Sequence, residues 1–265
     1  MDIHKPRPWQ GWREFAKEVG TIVIGVLIAL GAEQVVELLR IQREIDDAQH
    51  AVAKELAADT VTAISQMRLA PCADRRLNEL AVIVDSASRT GVLPPVPLPG
   101  RPRTPAFSTG AWSSVVASPI ATRLPRRQLR TLALVYTYMS RADRLADEAN
   151  DLWSDVYLIA GPGRPLDASS ALALRTAIAR ARTVNIEVAT LGTRLAERRN
   201  DLSLPFDAAD TAAIKKVLTE PIETLDRYSI CRPLTGPPPA NYGQTPWGLQ
   251  LADSQKTLAA MRAAK

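Results

Sequence analysis

Two cysteines and two histidines have the widest chemical repertoire of any residues in this chain. Cys72 and Cys231 show no C-x-x-C spacing, and His4 and His50 show no H-x-x-x-H spacing, so we predict no metal site. In an oxidising compartment the two cysteines would most simply form a disulfide. Such a bond would close a loop of about 160 residues and add about 4–5 kcal/mol by lowering the entropy of the unfolded chain. Two unrelated buried thiols are the alternative.

The hydroxyl and carboxylate side chains do not form a recognisable catalytic motif. Ser113 and Ser114 lack the G-x-S-x-G context that exposes a nucleophilic serine. Asp147 lies four residues from both Asp143 and Asp151 on the polar face of a predicted helix, where carboxylates are usually solvated charges. E-x-x-H pairs and glycine-rich phosphate loops are also absent. We therefore predict no catalytic residue, no cofactor and no enzyme activity, and an enzyme with an unfamiliar site is the alternative.

An apolar segment near the N-terminus is the strongest functional signal. The uncharged run from Val19 to Ala32 spans about 21 Å as a helix, compared with about 30 Å for the hydrocarbon core of a bilayer. Aromatic residues of the kind found at bilayer surfaces precede this run: Trp9, Trp12 and Phe15. We predict a transmembrane helix from Phe15 to Leu39, preceded by a short cytoplasmic N-terminus (residues 1–14).

Two other interpretations of the apolar segment stay open. A cleaved signal peptide would use Ala29-Leu30-Gly31 as its small-x-small site, although Asp2, Glu14 and Glu18 are unusual before a secretory signal. A core helix of a soluble protein would bury the segment, although the residues from Ile22 to Leu30 are apolar on every side.

The basic residues around the segment give a weak orientation signal. Four of them precede the uncharged run and three follow it: Lys5, Arg7, Arg13 and Lys17, then Arg40, Arg43 and Lys54. A slight excess before the run favours a cytoplasmic N-terminus. The bulk of the chain would then lie outside the cytoplasm.

The apolar segment resembles the N-terminal anchor of a group of uncharacterised bacterial single-pass inner-membrane proteins. In that group an acidic residue precedes a V-I-G-[IV]-L-I-A-L core, as Glu18 here precedes the run from Ile22 to Leu30. The segment from Phe107 to Trp112 is also similar to a Phe/Trp segment of the group, whereas Glu33-Gln34 departs from its pattern. The resemblance implies an inner-membrane anchor and a helical periplasmic domain, and it implies no activity.

Small residues on one face of the predicted span suggest lateral association. Gly25, Ala29 and Ala32 share this face, and the first two have the small-x-x-x-small spacing that lets helix backbones approach closely. Gln34 could hydrogen-bond across such a pair. We predict a homo-oligomer through this face, and the general abundance of small residues in membrane helices is the alternative explanation.

The residues after the span predict helices separated by proline-rich turns. No Gly or Pro occurs from Glu33 to Ala70, so we predict a long helix that ends at Pro71, followed by a helix from about Ala73 to Arg89. The prolines between Val92 and Pro105 predict an extended, partly polyproline II connector. A ligand for an SH3-type domain is the other interpretation of this loop.

Apolar residues at three- and four-residue steps predict further helices packed as a bundle. One helix follows Pro125 to about Ala160, the next has Asp167 as its N-cap, and another has Asp207. The helix after Asp167 carries a bundle seam: Leu174, Ala177, Ala181, Val184, Val188, Leu191 and Leu195. The predicted fold class is all-α, with a transmembrane helix continuing into a helical bundle (residues 40–232). A Pro/Gly-rich tail with a possible terminal helix follows (residues 233–265).

Charge and composition narrow the function classes. The net charge is +5, but no basic run is interleaved with aromatic residues, so we predict no nucleic-acid partner. Solvated helix faces explain the charge, and weak attraction to anionic lipid headgroups is the alternative. The sequence predicts a membrane-anchored domain with a structural or protein-interaction role at the cell envelope. A ligand-binding or sensory bundle acting through a membrane partner is the other interpretation.

Overall fold

Helices account for most of the residues in the computed structural model, which describes residues 11–103, 105–234 and 246–263. The all-α prediction is confirmed. The first helix, α1, covers Trp12–Thr90 and contributes to both units into which the chain divides, Met1–Asp47 and Ala48–Lys265. The later helices are α2 (Gly110–Ala117), α3 (Arg126–Val156), α4 (Ala168–Arg199), α5 (Ala208–Thr219), α6 (Ile222–Leu225) and α7 (Pro246–Ala263).

Three helices form the centre of the second unit: α1 from Ala48 onward, α3 and α4. Helix α3 runs parallel to α1, since Gln128 contacts Gln49 at the start of α3 and Tyr136 contacts Glu55 two turns later. Helix α4 runs antiparallel to α1, since its Arg175 pairs with Asp85 whereas later residues of α4 contact earlier residues of α1. All seven residues of the seam predicted on α4 are buried.

Local rules for helix ends also hold. Asp167 accepts a hydrogen bond from the Ser170 amide at 2.9 Å, as an N-cap should. Asp207 and Asp210 form a capping box at the start of α5. Gly91 ends α1 with a φ of 72° and donates its amide to the Ala87 carbonyl. Because only glycine adopts this left-handed conformation without strain, a glycine suits this position at the end of α1.

The prediction that Pro71 ends a helix is wrong, because α1 continues through it to Thr90. Proline lacks the amide that would bond to the carbonyl four residues earlier, here that of Met67. Gln255 Nε2 of α7 donates to this Met67 oxygen at 2.9 Å, and Asn185 Nδ2 of α4 donates to the Ala70 oxygen at 3.0 Å. Side chains of other helices thus donate hydrogen bonds to the backbone carbonyls near Pro71. Burial of apolar residues before and after Pro71 also favours a continuous helix.

Substituting Gln255 with alanine is expected to lower the free energy of unfolding by about 1 kcal/mol, because the Met67 carbonyl would lose its hydrogen bond. In a Pro71→Ala background the residue at 71 regains a backbone amide for this carbonyl. The Gln255→Ala substitution should then have little effect. Urea unfolding in detergent of the wild type, the two single variants and the double variant measures the coupling energy between positions 71 and 255. Equal losses in both backgrounds would contradict the assignment.

The proline-rich connector is more ordered than the sequence predicts. Val92–Leu93 (β1) pairs antiparallel with Arg164–Pro165 (β2), and Val96 and Gly161 exchange backbone hydrogen bonds of 3.0 and 2.9 Å. Leu93 and Val96 are buried. A pairing of two residues is too short to give an alternating hydrophobic pattern, so the sequence analysis could not detect it.

Candidate functional site

The uncharged run of α1 is exposed at every position except Gly20, which is partly buried. Ile22, Leu27 and Ile28 are 63%, 62% and 68% exposed, and no residue of the apolar window is buried. This exposure argues against the interpretation of the segment as the core helix of a soluble protein. By length and composition this part of α1 could cross a membrane.

Apolar side chains continue past Glu33 and Gln34, and Glu37 is the one polar residue among them. Val35, Val36, Leu38 and Leu39 are all more than half exposed. With them, the apolar stretch that begins at Val19 reaches about 30 Å as a helix, which matches the hydrocarbon core of a bilayer.

A charged cluster lies at the end of this apolar stretch. Arg40 pairs with Glu37 at 2.8 Å and with Glu44 at 3.9 Å, and all three side chains are about half exposed or more. Such a cluster suits the polar boundary of a spanning segment.

The predicted association face is open on this helix. Gly25, Ala29 and Ala32 are all exposed. A Cβ added at Gly25 would meet no atom within 4 Å, so the packing of the chain itself does not require glycine there. Self-association through this face stays a prediction.

Cys72 and Cys231 are joined by a disulfide with their Cα atoms 4.7 Å apart. The bond fastens the segment 226–234 to α1, and several polar contacts do the same. Arg75 donates to the Cys231 carbonyl and Arg76 to the Arg232 carbonyl. The Leu234 amide donates to Glu79 at 3.0 Å. The disulfide is therefore one part of a larger clamp.

The turn that carries Cys231 is shaped to fit this clamp. Asp226 accepts hydrogen bonds from the amides of Ile230 and Cys231 at 2.7 and 2.9 Å. Gly100 of the connector, with a φ of 68°, lies beneath the same turn, and a Cβ there would come within 2.5 Å of the Tyr228 carbonyl oxygen. Only glycine fits both this conformation and this close approach.

A second cluster, which the sequence analysis missed, holds the segment 107–112. Glu55 accepts hydrogen bonds from the Ala111 and Trp112 amides at 2.8 and 3.3 Å, and from the Tyr136 hydroxyl at 2.6 Å. The Trp112 ring stacks on the Tyr136 ring with centroids 5.1 Å apart. The Phe107–Trp112 segment singled out by resemblance is thus the segment that α1 and α3 bind.

Two more carboxylates complete this cluster. Asp59 accepts the Ser108 amide at 3.1 Å, and Asp143 accepts the Phe107 amide at 3.3 Å. Of the three aspartates considered as a catalytic set, Asp143 joins this cluster, whereas Asp147 and Asp151 are exposed. Ser113 and Ser114 donate to carbonyls of their own helical turn, so the structure does not place them beside a base.

The two carboxylates from α1 differ in their protonation. Burial raises the pKa of Asp59 from 3.8 to about 7, and repulsion from Glu55 and Asp143 adds to this effect, while the Ser108 amide opposes it. Burial also acts to raise the pKa of Glu55, but hydrogen bonds from Tyr136, Ala111, Ser108 and Trp112 outweigh it and lower the pKa. Glu55 is thus the ionised carboxylate that holds the segment, and Asp59 is protonated below neutral pH and loses its proton near pH 7.

Replacing Asp59 with asparagine is expected to stabilise the fold by about 3–4 kcal/mol at pH 8 and to have little effect at pH 4. A raised folded-state pKa means that the wild type loses stability as pH rises from about 4 to about 7, because Asp59 must ionise while buried. Asparagine keeps the acceptor for Ser108 without the charge. Thermal melts across this pH range measure the difference. An Asp147→Asn control changes an exposed carboxylate, and an equal gain there would contradict the assignment to Asp59.

The described part of the chain has a large polar groove and a smaller cavity of about 360 Å³, which Asp155, Arg164 and Ser170 line between the end of α3 and the start of α4. The groove, of about 790 Å³, lies between α4 and α7 and is lined by hydroxyls and by charges of both signs. The cavity beside Trp153 and Asn185 measures only about 20 Å³, enough for about one water molecule. Among the described residues, no group of three His, Cys, Asp or Glu could hold a metal ion.

Comparison with protein-family models, with curated proteins and with solved structures found no match for this chain. The functional interpretation therefore rests on the geometry described above.

Proposed function

We propose that this chain is a single-pass protein of a bacterial inner membrane, with the helical unit from Ala48 onward in the periplasm. The observation that carries the proposal is the exposed apolar length of α1, from Val19 to Leu39. Exposed apolar surface of this extent is unfavourable in water and favourable among lipid chains. The charged cluster around Arg40 supports a boundary of the span at this point.

The disulfide between Cys72 and Cys231 supports the periplasmic location of the helical unit. Disulfides form and persist in oxidising compartments such as the periplasm, and they are rare in the cytosol. The slight excess of basic residues before the span favours the same orientation.

The role that we propose for the helical unit is structural or protein-interacting. It contains a continuous cluster of buried apolar side chains, and the cavity beside Trp153 and Asn185 measures only about 20 Å³, which suits a rigid domain. A ligand-binding or sensory role is the second candidate, and the groove between α4 and α7 favours it, because hydroxyls and charges could bind a small polar ligand there.

Topology fusions, carbonate extraction and thiol labelling test this proposal together. We expect the full chain to resist carbonate extraction, a C-terminal alkaline phosphatase fusion to be active, and a C-terminal GFP fusion to be dark. Cys72 and Cys231 should accept a thiol reagent only after reduction. A fluorescent GFP fusion with freely labelled thiols would contradict the orientation. A mature protein shortened by about thirty residues would indicate the cleaved signal peptide instead.

A further inference from the structure

Four arginines lie close together at the beginning of α3. Arg123 follows a short 3-10 helix (Pro119–Thr122), and Arg126, Arg127 and Arg130 occupy the first turns of α3. All four side chains are exposed, and none forms an ion pair with another described residue. We call these four side chains the arginine cluster.

Nothing within this part of the sequence neutralises the arginine cluster. No Asp or Glu occurs between Pro105 and Ala142. In addition, cations in the first turn of a helix oppose the helix dipole, so the stability of α3 does not account for Arg126 and Arg127. Neither its neighbours in the sequence nor an ion pair among the described residues therefore balances the positive charge of the cluster.

The chain keeps the arginine cluster close to the predicted span. Gln128, which lies among the four arginines, hydrogen-bonds through its side chain to Gln49 of α1 at 3.4 Å. Gln49 follows Leu39 by ten residues. Even if these residues were fully extended, Gln49 would lie within about 35 Å of Leu39. A tether of this length gives a surface group a high effective concentration at the bilayer.

We infer that the arginine cluster binds the anionic headgroups of the bilayer in which α1 is anchored. Guanidinium groups bind phosphate oxygens through paired hydrogen bonds, and basic side chains near a membrane are attracted by its negative surface potential. The anionic headgroups supply the negative charge that the arginine cluster lacks. They are present wherever α1 is anchored in the bilayer. The inference rests on the membrane anchoring proposed above.

Photo-cross-linking in nanodiscs tests the inference with the full-length chain. The chain is reconstituted in discs of phosphatidylcholine, alone or mixed in equal parts with phosphatidylglycerol. Each disc carries a trace of lipid with a photoreactive group near the headgroup, either phosphatidylglycerol or phosphatidylcholine. We expect the phosphatidylglycerol probe to label peptides within residues 119–130 about threefold more than the phosphatidylcholine probe. Raising the salt from about 0.05 M to about 0.5 M should remove most of this difference.

Three variants separate charge from structure. Changing all four arginines of the cluster to glutamine should remove the preference for the anionic probe, and changing all four to lysine should retain most of it. A control variant loses the same number of exposed arginines elsewhere in the helical unit: Arg89→Gln, Arg103→Gln, Arg144→Gln and Arg227→Gln. This control should label like the wild type, and circular dichroism should show equal helix content in all variants.

Equal labelling of the wild type and the glutamine variant would overturn the inference. So would equal labelling by both probes at low salt, which is the result expected if the cluster binds an acidic protein. Added soluble glycerol phosphate should not compete, and strong competition would indicate a site for a free anion instead. Retention of the chain in purified discs reports the anchor separately, so a chain that is retained but unlabelled refutes only the inference about the arginine cluster.

Discussion

Replacing Ile24 and Leu27 with arginine is expected to release the chain from the membrane fraction. Both side chains are more than half exposed on α1 and lie near the middle of the apolar stretch. Each substitution exchanges a favourable contribution for an unfavourable one of about 3 kcal/mol at the centre of a spanning helix, so the pair costs about 6 kcal/mol. Carbonate extraction followed by immunoblotting of the pellet and supernatant measures the release.

Two control variants separate loss of insertion from general damage. Ile24→Leu with Leu27→Ile keeps the apolar character and should leave the chain in the pellet. Val82→Arg with Leu172→Arg places the same charge at exposed apolar positions of the helical unit and should also leave membrane retention unchanged. If the double arginine variant of the span pelleted as completely as the wild type, the transmembrane assignment would be wrong.

Removing the disulfide is expected to lower the free energy of unfolding of the helical unit by about 4–5 kcal/mol. The bond joins residues 159 positions apart, so it restricts most of the unfolded chain. Cys72→Ser, Cys231→Ser and the double variant should all show the same loss, since each removes the same covalent link. Urea unfolding with and without a reducing agent measures the effect, and reduced wild type should unfold with the variants.

The polar contacts around the disulfide predict that the fold persists after the disulfide is reduced. Arg75, Arg76 and Glu79 bind the segment 226–234 without help from the sulfur atoms. The reduced protein should therefore keep its helix content in the absence of denaturant, and only its resistance to urea should fall. A wild type whose urea midpoint does not respond to reduction would show that the disulfide does not constrain the chain.

Features that depend on neighbouring residues could be predicted from the sequence. The helix seam of α4, the caps at Asp167 and Asp207, and the glycine at 91 all follow from rules that span a few residues. The apolar stretch of α1 belongs to the same class, because its length and composition are local properties.

Features that depend on distant residues could not be predicted in this way. Pro71 lies inside a helix because α4 and α7 satisfy the carbonyls around it, and Gln255 is far away in the sequence. Likewise, Glu55 binds the amides of Ala111 and Trp112, and nothing around Glu55 in the sequence distinguishes it from a solvated acidic residue. The candidate site in the helical unit was therefore missed, although the Phe107–Trp112 segment itself was noticed by resemblance.

The hydrogen bond from Gln255 to the Met67 carbonyl has a consequence for the order of synthesis. A ribosome makes α1 before α7, so the proline turn of α1 lacks its donor until α7 has emerged. The same delay applies to Cys72, whose partner is made 159 residues later. A nascent chain stalled before Cys231 would therefore carry an unsatisfied Met67 carbonyl and an unpaired Cys72 thiol, which are features that quality-control proteases and thiol oxidases could recognise.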